Sequence, residues 1–197
     1  MASFRAFVAI PLPEDVRERL ASLQDRLRPA RADVKWVDPA LLHVTLKFLG
    51  DLDDGARPVL ESDLQRVAAA AAPIDLEARG LGAFPPSGAP RVVWAGLSER
   101  APGRLAALAV AVEGAAAAAG FPPEGRPFAS HVTLGRVKSP RNAAALRALL
   151  EAGRDADAGA FRADALVLFR SDLAPQGPTY TAVARFPLGT GAAGDGA

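Results

Sequence analysis

The sequence predicts an α+β fold made of two lobes of similar build. Three observations point there. Stretches with strand-like composition alternate with stretches of helical periodicity along all but the last few of the 197 residues. The tetrapeptide His43-Val44-Thr45-Leu46 returns unchanged as His131-Val132-Thr133-Leu134. Each copy precedes a helical segment, so the layout suggests two related halves about a pseudo-twofold axis, with the motif strands meeting in the middle.

Residues 4–10 are rich in strand formers and are ended by Pro11 and Pro13, which gives a first strand. A helix follows, opened by Pro13, Glu14 and Asp15, with Val16, Leu20, Leu23 and Leu27 at helical spacing until Pro29. Residues 35–37 read as a short strand, Asp38-Pro39 as a turn, and residues 42–49 as the first motif strand. In a regular strand His43, Thr45 and Lys47 share one face, opposite Val44, Leu46 and Phe48. Residues 55–72 form a second helix with Val59, Leu60, Leu64 and Val67 inward.

Strands over 74–82 and 91–97 flank the exposed loop Phe84-Pro85-Pro86-Ser87-Gly88. A third helix spans about 102–119, with Leu105, Leu108 and Val112 as its buried stripe and an alanine-rich end suited to close packing. The second motif strand covers 130–137, and Ser139-Pro140 opens a fourth helix ending near Glu151. Strands over 161–171 and 179–187, joined by the turn at 174–178, complete the fold. Residues 1–188 are therefore expected to form one bilobal domain, with 189–197 a disordered tail that has little to bury.

Composition narrows the function. A formal net charge of +1 supplies no global attraction to nucleic acid, so any such affinity must be local. Without cysteine there is no disulfide, thiolate nucleophile or sulfur-ligated metal, which suits the reducing cytoplasm expected as the protein's location. The apolar N-terminus is short and interrupted by Arg5, so it reads as neither a signal peptide nor a membrane span.

His43 and His131 are the only histidines in the chain, and both carry a threonine two positions on. In a strand, Val and Leu of the motif face a core while His and Thr stand together on the other side, about 7 Å apart. Each copy then offers an imidazole able to exchange a proton and a hydroxyl able to bond an anionic oxygen. Two copies facing one cleft place an acid and a base on opposite sides of a bound group, the arrangement that in-line displacement at phosphorus needs. Neither motif contains an Asp or Glu, and no metal or other cofactor is called for.

These paired motifs resemble those of the two-histidine (2H) phosphoesterase superfamily. The surrounding sequence is similar to its prokaryotic RNA 2′,3′-cyclic phosphodiesterase (2′-5′ RNA ligase-like) branch: Phe7-Val8-Ala9-Ile10-Pro11, Leu42 to Gly50, Gly82-Ala83-Phe84-Pro85, Arg91 to Gly96, Arg126-Pro127-Phe128 and Leu166 to Ser171. The likeness implies a bilobal fold with two antiparallel sheets lining a central cleft and helices outside. It implies metal-independent opening of 2′,3′-cyclic phosphate at RNA ends to a 2′-phosphate, with His43 as proton donor, His131 as acceptor, and Thr45 and Thr133 on the phosphate oxygens. A 5′-hydroxyl replacing water would give a 2′-5′ linkage. Ala129-Ser130 precedes His131 where relatives often carry proline.

Other residues are weighed individually. Regular alternation puts Arg136 opposite His131, yet a bend after Gly135 would turn it inward as a phosphate ligand. Lys47 is a candidate for the RNA backbone, with simple solvation as the alternative, and Arg91 is a weaker candidate. Phe48, Trp94, Phe128 and Tyr180 could stack on bases, but core packing is the preferred reading. The partners expected are RNA ends bearing 2′,3′-cyclic phosphate, with no membrane and a monomeric protein. The rival functions are a 2H phosphoesterase for another small cyclic phosphate and an RNA end-binding module without turnover.

Overall fold

The strand and helix periods of the sequence sort into two antiparallel sheets in a computed structural model that describes residues 3–189. The elements are β1 (Ser3–Pro11), α1 (Glu14–Leu27), β2 (Val34–Trp36), β3 (His43–Asp53), α2 (Ala56–Ala70), β4 (Ile74–Phe84) and β5 (Val92–Glu99). They continue with α3 (Arg104–Ala118), β6 (His131–Val137), α4 (Ala143–Ala152), β7 (Asp157–Ala163), β8 (Ala165–Ala174) and β9 (Gly177–Pro187). One sheet has the order β3-β1-β8-β9 and the other β2-β6-β5-β4-β7. The α+β class and the pair of antiparallel sheets agree with expectation, and the motif strands β3 and β6 touch each other.

The helices are not confined to their own halves of the chain. Helix α1, which follows β1, packs on β7 of the five-stranded sheet, while α3, which follows β5, packs on β3 of the four-stranded one. Its apolar stripe explains the docking of α1: Val16, Leu20, Leu23 and Leu27 are all buried. Gln24 on that stripe is also buried, and its amide donates to the carbonyls of Val37 (2.8 Å) and Leu134 (2.9 Å). The alanine-rich end of α3 buries Ala115 and Ala116, as the small side chains allow.

Several local expectations are corrected. Residues 161–171 are not one strand: β7 ends at Ala163 and β8 begins at Ala165 in the other sheet. Asp164 makes the crossing, its carboxylate accepting from Arg185 and its carbonyl from the Leu188 N–H. Helix α4 begins after Asn142, which takes a left-handed φ of 55° and donates its side-chain amide to the Arg31 carbonyl; Ser139-Pro140 lies ahead of it. Val59 is 47% exposed, and Ala68 completes the inner face of α2 with Leu60 and Leu64. Gly189, expected to open the tail, donates its N–H to the Ala68 carbonyl, and the disorder expected beyond it lies outside the described residues.

Gly135 is where β2 and β6 pack most closely. A Cβ there would stand 2.6 Å from Val34 Cγ1 and 3.0 Å from Trp36 Cε3, neither of which can swing away within the ladder. Gly135→Ala is therefore expected to destabilise the protein by about 1–3 kcal/mol through overpacking, read as a lower thermal midpoint against the parent chain.

Candidate active site

Both histidines begin their strands, and both rings are fixed in the same way. His43 Nδ1 lies 2.7 Å from the Leu41 carbonyl, and His131 Nδ1 lies 2.7 Å from the Ala129 carbonyl. A carbonyl oxygen only accepts, so each Nδ1 carries the proton and each Nε2 is left as the nitrogen free for chemistry. The Ala129-Ser130 entry thus supplies the orienting carbonyl for His131, and the Ser130 carbonyl accepts from the Leu97 N–H. Aromatic rings pack the imidazoles from the sides. Phe7 stands 4.8 Å from the His43 ring and Tyr180 meets it edge-on at 5.4 Å; Phe84 meets His131 edge-on at 5.2 Å.

After each motif the ladder takes up one extra residue. On β3, Ala9 pairs with Thr45 but Val8 with Lys47, leaving Leu46 over. On β6, Trp94 pairs with Thr133 but Val93 with Gly135, leaving Leu134 over. These are β-bulges at equivalent places, and each reverses the alternation just beyond it. Leu46 and Lys47, like Leu134 and Gly135, are consecutive buried residues. Phe48 and Arg136 then rejoin the faces of their motif residues, opposite Phe7 and Val92.

This register reverses the faces expected for Lys47 and Phe48 and turns Arg136 inward, the second of its two expected placements. Arg136 shares a cleft of about 720 Å³ with Thr45, His131, Thr133, Phe48 and Phe128. Its bend comes from the bulge at Leu134, ahead of Gly135. Its positive charge works to lower the pKa of His131 on one sheet and of Tyr180 on the other. Phe48 is 56% exposed on the cleft, so core packing does not describe it. Trp94 lies beside Phe84 with its ring over Gly82, where a Cβ would come within 2.2 Å of it. Arg91 is exposed at the start of β5 and is not among the residues lining the cleft.

Lys47 lines the cleft but is only 2% exposed, so simple solvation does not describe it. Its ammonium donates to Glu113 Oε1 of α3 (2.8 Å) and to the Pro122 carbonyl (2.7 Å), and the same Oε1 accepts from the Glu124 N–H (3.0 Å). This clamp fixes the segment before β6, whose Glu124, Arg126, Pro127 and Phe128 form a wall of the cleft. Sequence reasoning missed these contributions because they depend on which loop α3 meets. Phe7 and Phe84 escaped notice for the same reason.

Both histidines are held below the ordinary histidine pKa of about 6.5. Burial is the main cause for each; the carbonyl bond to Nδ1 works the other way. A further lowering comes from the charge of His131 for His43 and from that of Arg136 for His131. Burial pushes the Tyr180 hydroxyl up, keeping it protonated beside His43. No cluster of three or more His, Asp or Glu residues fit to hold a metal ion occurs among the described residues.

A family model described as LigT like phosphoesterase matches residues 10–94 and 96–180, one motif in each segment. The chain belongs to this family. It is an enzyme of the 2H phosphoesterase superfamily, as its motifs suggested. Among curated relatives, the RNA 2′,3′-cyclic phosphodiesterase of Methanothermobacter thermautotrophicus is 37% identical over 93% of this chain and 98% of its own length. The protein of that name from Aquifex aeolicus is 33% identical over 96% and 100%.

Solved structures of LigT-like proteins share the fold. The crystal structure of TT0787 of Thermus thermophilus matches with a TM-score of 0.77 and 34% identity, over 95% of this chain and 99% of that one. The E. coli LigT structure complexed with 3′-AMP matches with a TM-score of 0.74 and 27% identity over the same shares.

Removing one member of the Lys47 clamp strands the others. Glu113→Ala leaves a buried ammonium with a single carbonyl and frees the Glu124 N–H, a loss expected to be about 1–3 kcal/mol in denaturant unfolding. Lys47→Met keeps the stem and returns Glu113 to water, and is expected to be the milder change.

Proposed function

We propose that this enzyme is an RNA 2′,3′-cyclic phosphodiesterase that opens the terminal cyclic phosphate to a 2′-phosphomonoester, with His131 as general base and His43 as general acid. The observation that carries the reading is the matched pair of imidazoles, each tied at Nδ1 by a carbonyl two residues back and each leaving Nε2 for proton transfer. The names of the curated relatives support the substrate class.

In the reaction, water attacks phosphorus and gives its proton to His131 Nε2. The bond from phosphorus to O3′ breaks, and His43 Nε2 supplies the proton that O3′ takes up. The products are a 2′-phosphomonoester and a free 3′-hydroxyl, with the two histidines in exchanged protonation states that solvent resets. Thr45 and Thr133 donate to the non-bridging oxygens, and Arg136 offsets the charge that builds on them. Arg136 also favours the order of roles, since a cation beside His131 disfavours its protonation and keeps it ready as the base. A 5′-hydroxyl in place of water, with the same proton movements, forms a 2′-5′ linkage.

An oligoribonucleotide ending in 2′,3′-cyclic phosphate, incubated in excess chelator, is expected to yield the 2′-monophosphate alone. His43→Ala and His131→Ala should each lower kcat/KM by roughly 10²- to 10⁴-fold, the usual worth of a positioned proton donor or acceptor. A 3′-monophosphate product would reverse the choice of leaving oxygen, and full activity in either variant would remove that histidine from the mechanism.

The dependence on pH follows from the required protonation states. The rate rises as His131 loses its proton and falls as His43 loses its own, giving a bell. Because both groups are held below about 6.5 in the free enzyme, the kcat/KM profile is expected to peak on the acid side of that value. The bound phosphate anion stabilises imidazolium, so the kcat profile should sit at higher pH than the kcat/KM profile. Initial rates across pH 4–9, fitted separately for the two parameters, test both statements.

A further inference from the structure

The basic residues next to Arg136 continue past the mouth of the cleft. Of the 23 basic residues in the chain only Lys35, Lys47 and Lys138 are lysines. Lys47 is buried in the clamp; the other two stand together at the edge of the five-stranded sheet. Lys35 is the direct cross-strand partner of Arg136, so the two side chains leave the sheet on the same face, about 5 Å apart at their bases. Since the bulge returns Arg136 to the cleft, Lys35 points to the cleft side as well. Val34 and Trp36, its neighbours on β2, turn the other way and flank Gly135.

Lys138 extends the same ladder by one step, its N–H donating to the Asp33 carbonyl, and alternation puts it on the side of Arg136. Arg31 and Arg141 lie at the adjoining corner, where the Asn142 side chain holds the Arg31 carbonyl. Lys35, Lys138, Arg31 and Arg141 are all exposed. Among the described residues none of these, nor Arg136, has a carboxylate within ion-pairing distance, although ten ion pairs elsewhere engage other arginines. Asp33, opposite Lys138, is the one acid in this stretch, and it pairs with none of them.

We infer that the edge formed by β2 and the end of β6 is a track for the RNA backbone, along which Lys35 and then Lys138 hold the phosphates preceding the terminal one, so that the enzyme prefers an oligonucleotide end to a mononucleotide. The inference rests on the reading of the cleft as the terminal-phosphate site. β2 is a short edge strand with no further strand beyond it, so a polynucleotide leaving the cleft on this side meets no obstacle from the sheet. Flexible lysines without fixed partners suit a backbone whose sequence is not being read.

The test compares 2′,3′-cyclic AMP with a single-stranded oligoribonucleotide ending in 2′,3′-cyclic phosphate, on the parent chain and on Lys35→Ala, Lys138→Ala and the double variant. The track requires kcat/KM for the oligonucleotide to fall by roughly tenfold in the double variant while that for 2′,3′-cyclic AMP stays within twofold. It also requires the slope of log kcat/KM against log salt for the oligonucleotide to become shallower by about 0.7 for each lysine removed. Arg100→Ala, an exposed arginine away from the cleft, should move neither number and controls for net charge.

Equal losses on the two substrates, or no loss on either, would overturn the track. If the parent chain turned over neither substrate, the proposed chemistry would fall by itself. Fluorescence anisotropy with an oligoribonucleotide ending in 2′-phosphate then decides the track separately: weaker binding by the double variant upholds it, and unchanged binding rejects it.

Discussion

The geometry of the site depends on one extra residue in each motif strand. Leu46 and Leu134 have no partner across the ladder, and the residues just beyond them on β3 and β6 are turned over relative to a regular strand. A bulge interrupts pairing and must be stabilised by what surrounds it. On β6 the stabilisation is visible: the Leu134 carbonyl accepts from the Val37 N–H and from the buried amide of Gln24, and Gly135 allows β2 to close over the irregularity. Without that shift Arg136 would face α1 and the core, where its charge could not be solvated.

The same device has opposite consequences in the two halves. At the position after the bulged leucine, β6 has glycine, and β2 packs on it; β3 has Lys47, and α3 with the 120–124 segment packs on that. One residue later β6 presents Arg136 to the cleft and β3 presents Phe48. A common backbone plan therefore gives one wall a cation and the other an exposed aromatic ring. The division suits a ligand with one strongly anionic centre and a flat, weakly polar part, which is how a terminal nucleotide is built.

The sequence disclosed the parts of this site that repeat and hid those that depend on pairing. His43, His131, Thr45 and Thr133 were legible because the repeated tetrapeptide sets their spacing and face within four residues. Arg136 was ambiguous and Lys47 misplaced because a register shift belongs to two strands at once, β1 with β3 or β5 with β6, and no window along one strand records it. The split of residues 161–171 into β7 and β8 has a similar origin. Both halves are apolar enough to be core strands, and only their partners, β4 and β1, reveal that the chain changes sheets at Asp164. The aromatic rings around the histidines come from β1, β4 and β9; of them only Tyr180 was a candidate from the sequence, because their meeting depends on strands far apart in the chain.

A nearly neutral protein can still bind RNA if its charges are unevenly committed. Here nine of the 20 arginines are engaged by neighbouring carboxylates, as with Arg19 and Asp15, Arg57 and Glu61, or Arg170 and Asp172. Exposed pairs of that kind add little to stability. Their larger effect is on the field: each pair is nearly silent at the distance of a Debye length, about 8 Å in physiological salt. Of the cations left without a carboxylate, those along β2 and the end of β6 are the ones that adjoin Arg136 and, through it, the cleft that His131 lines. Placing Lys47 in the interior sharpens the contrast, because its charge is spent on Glu113 and the Pro122 carbonyl and leaves the β3 side of the cleft apolar.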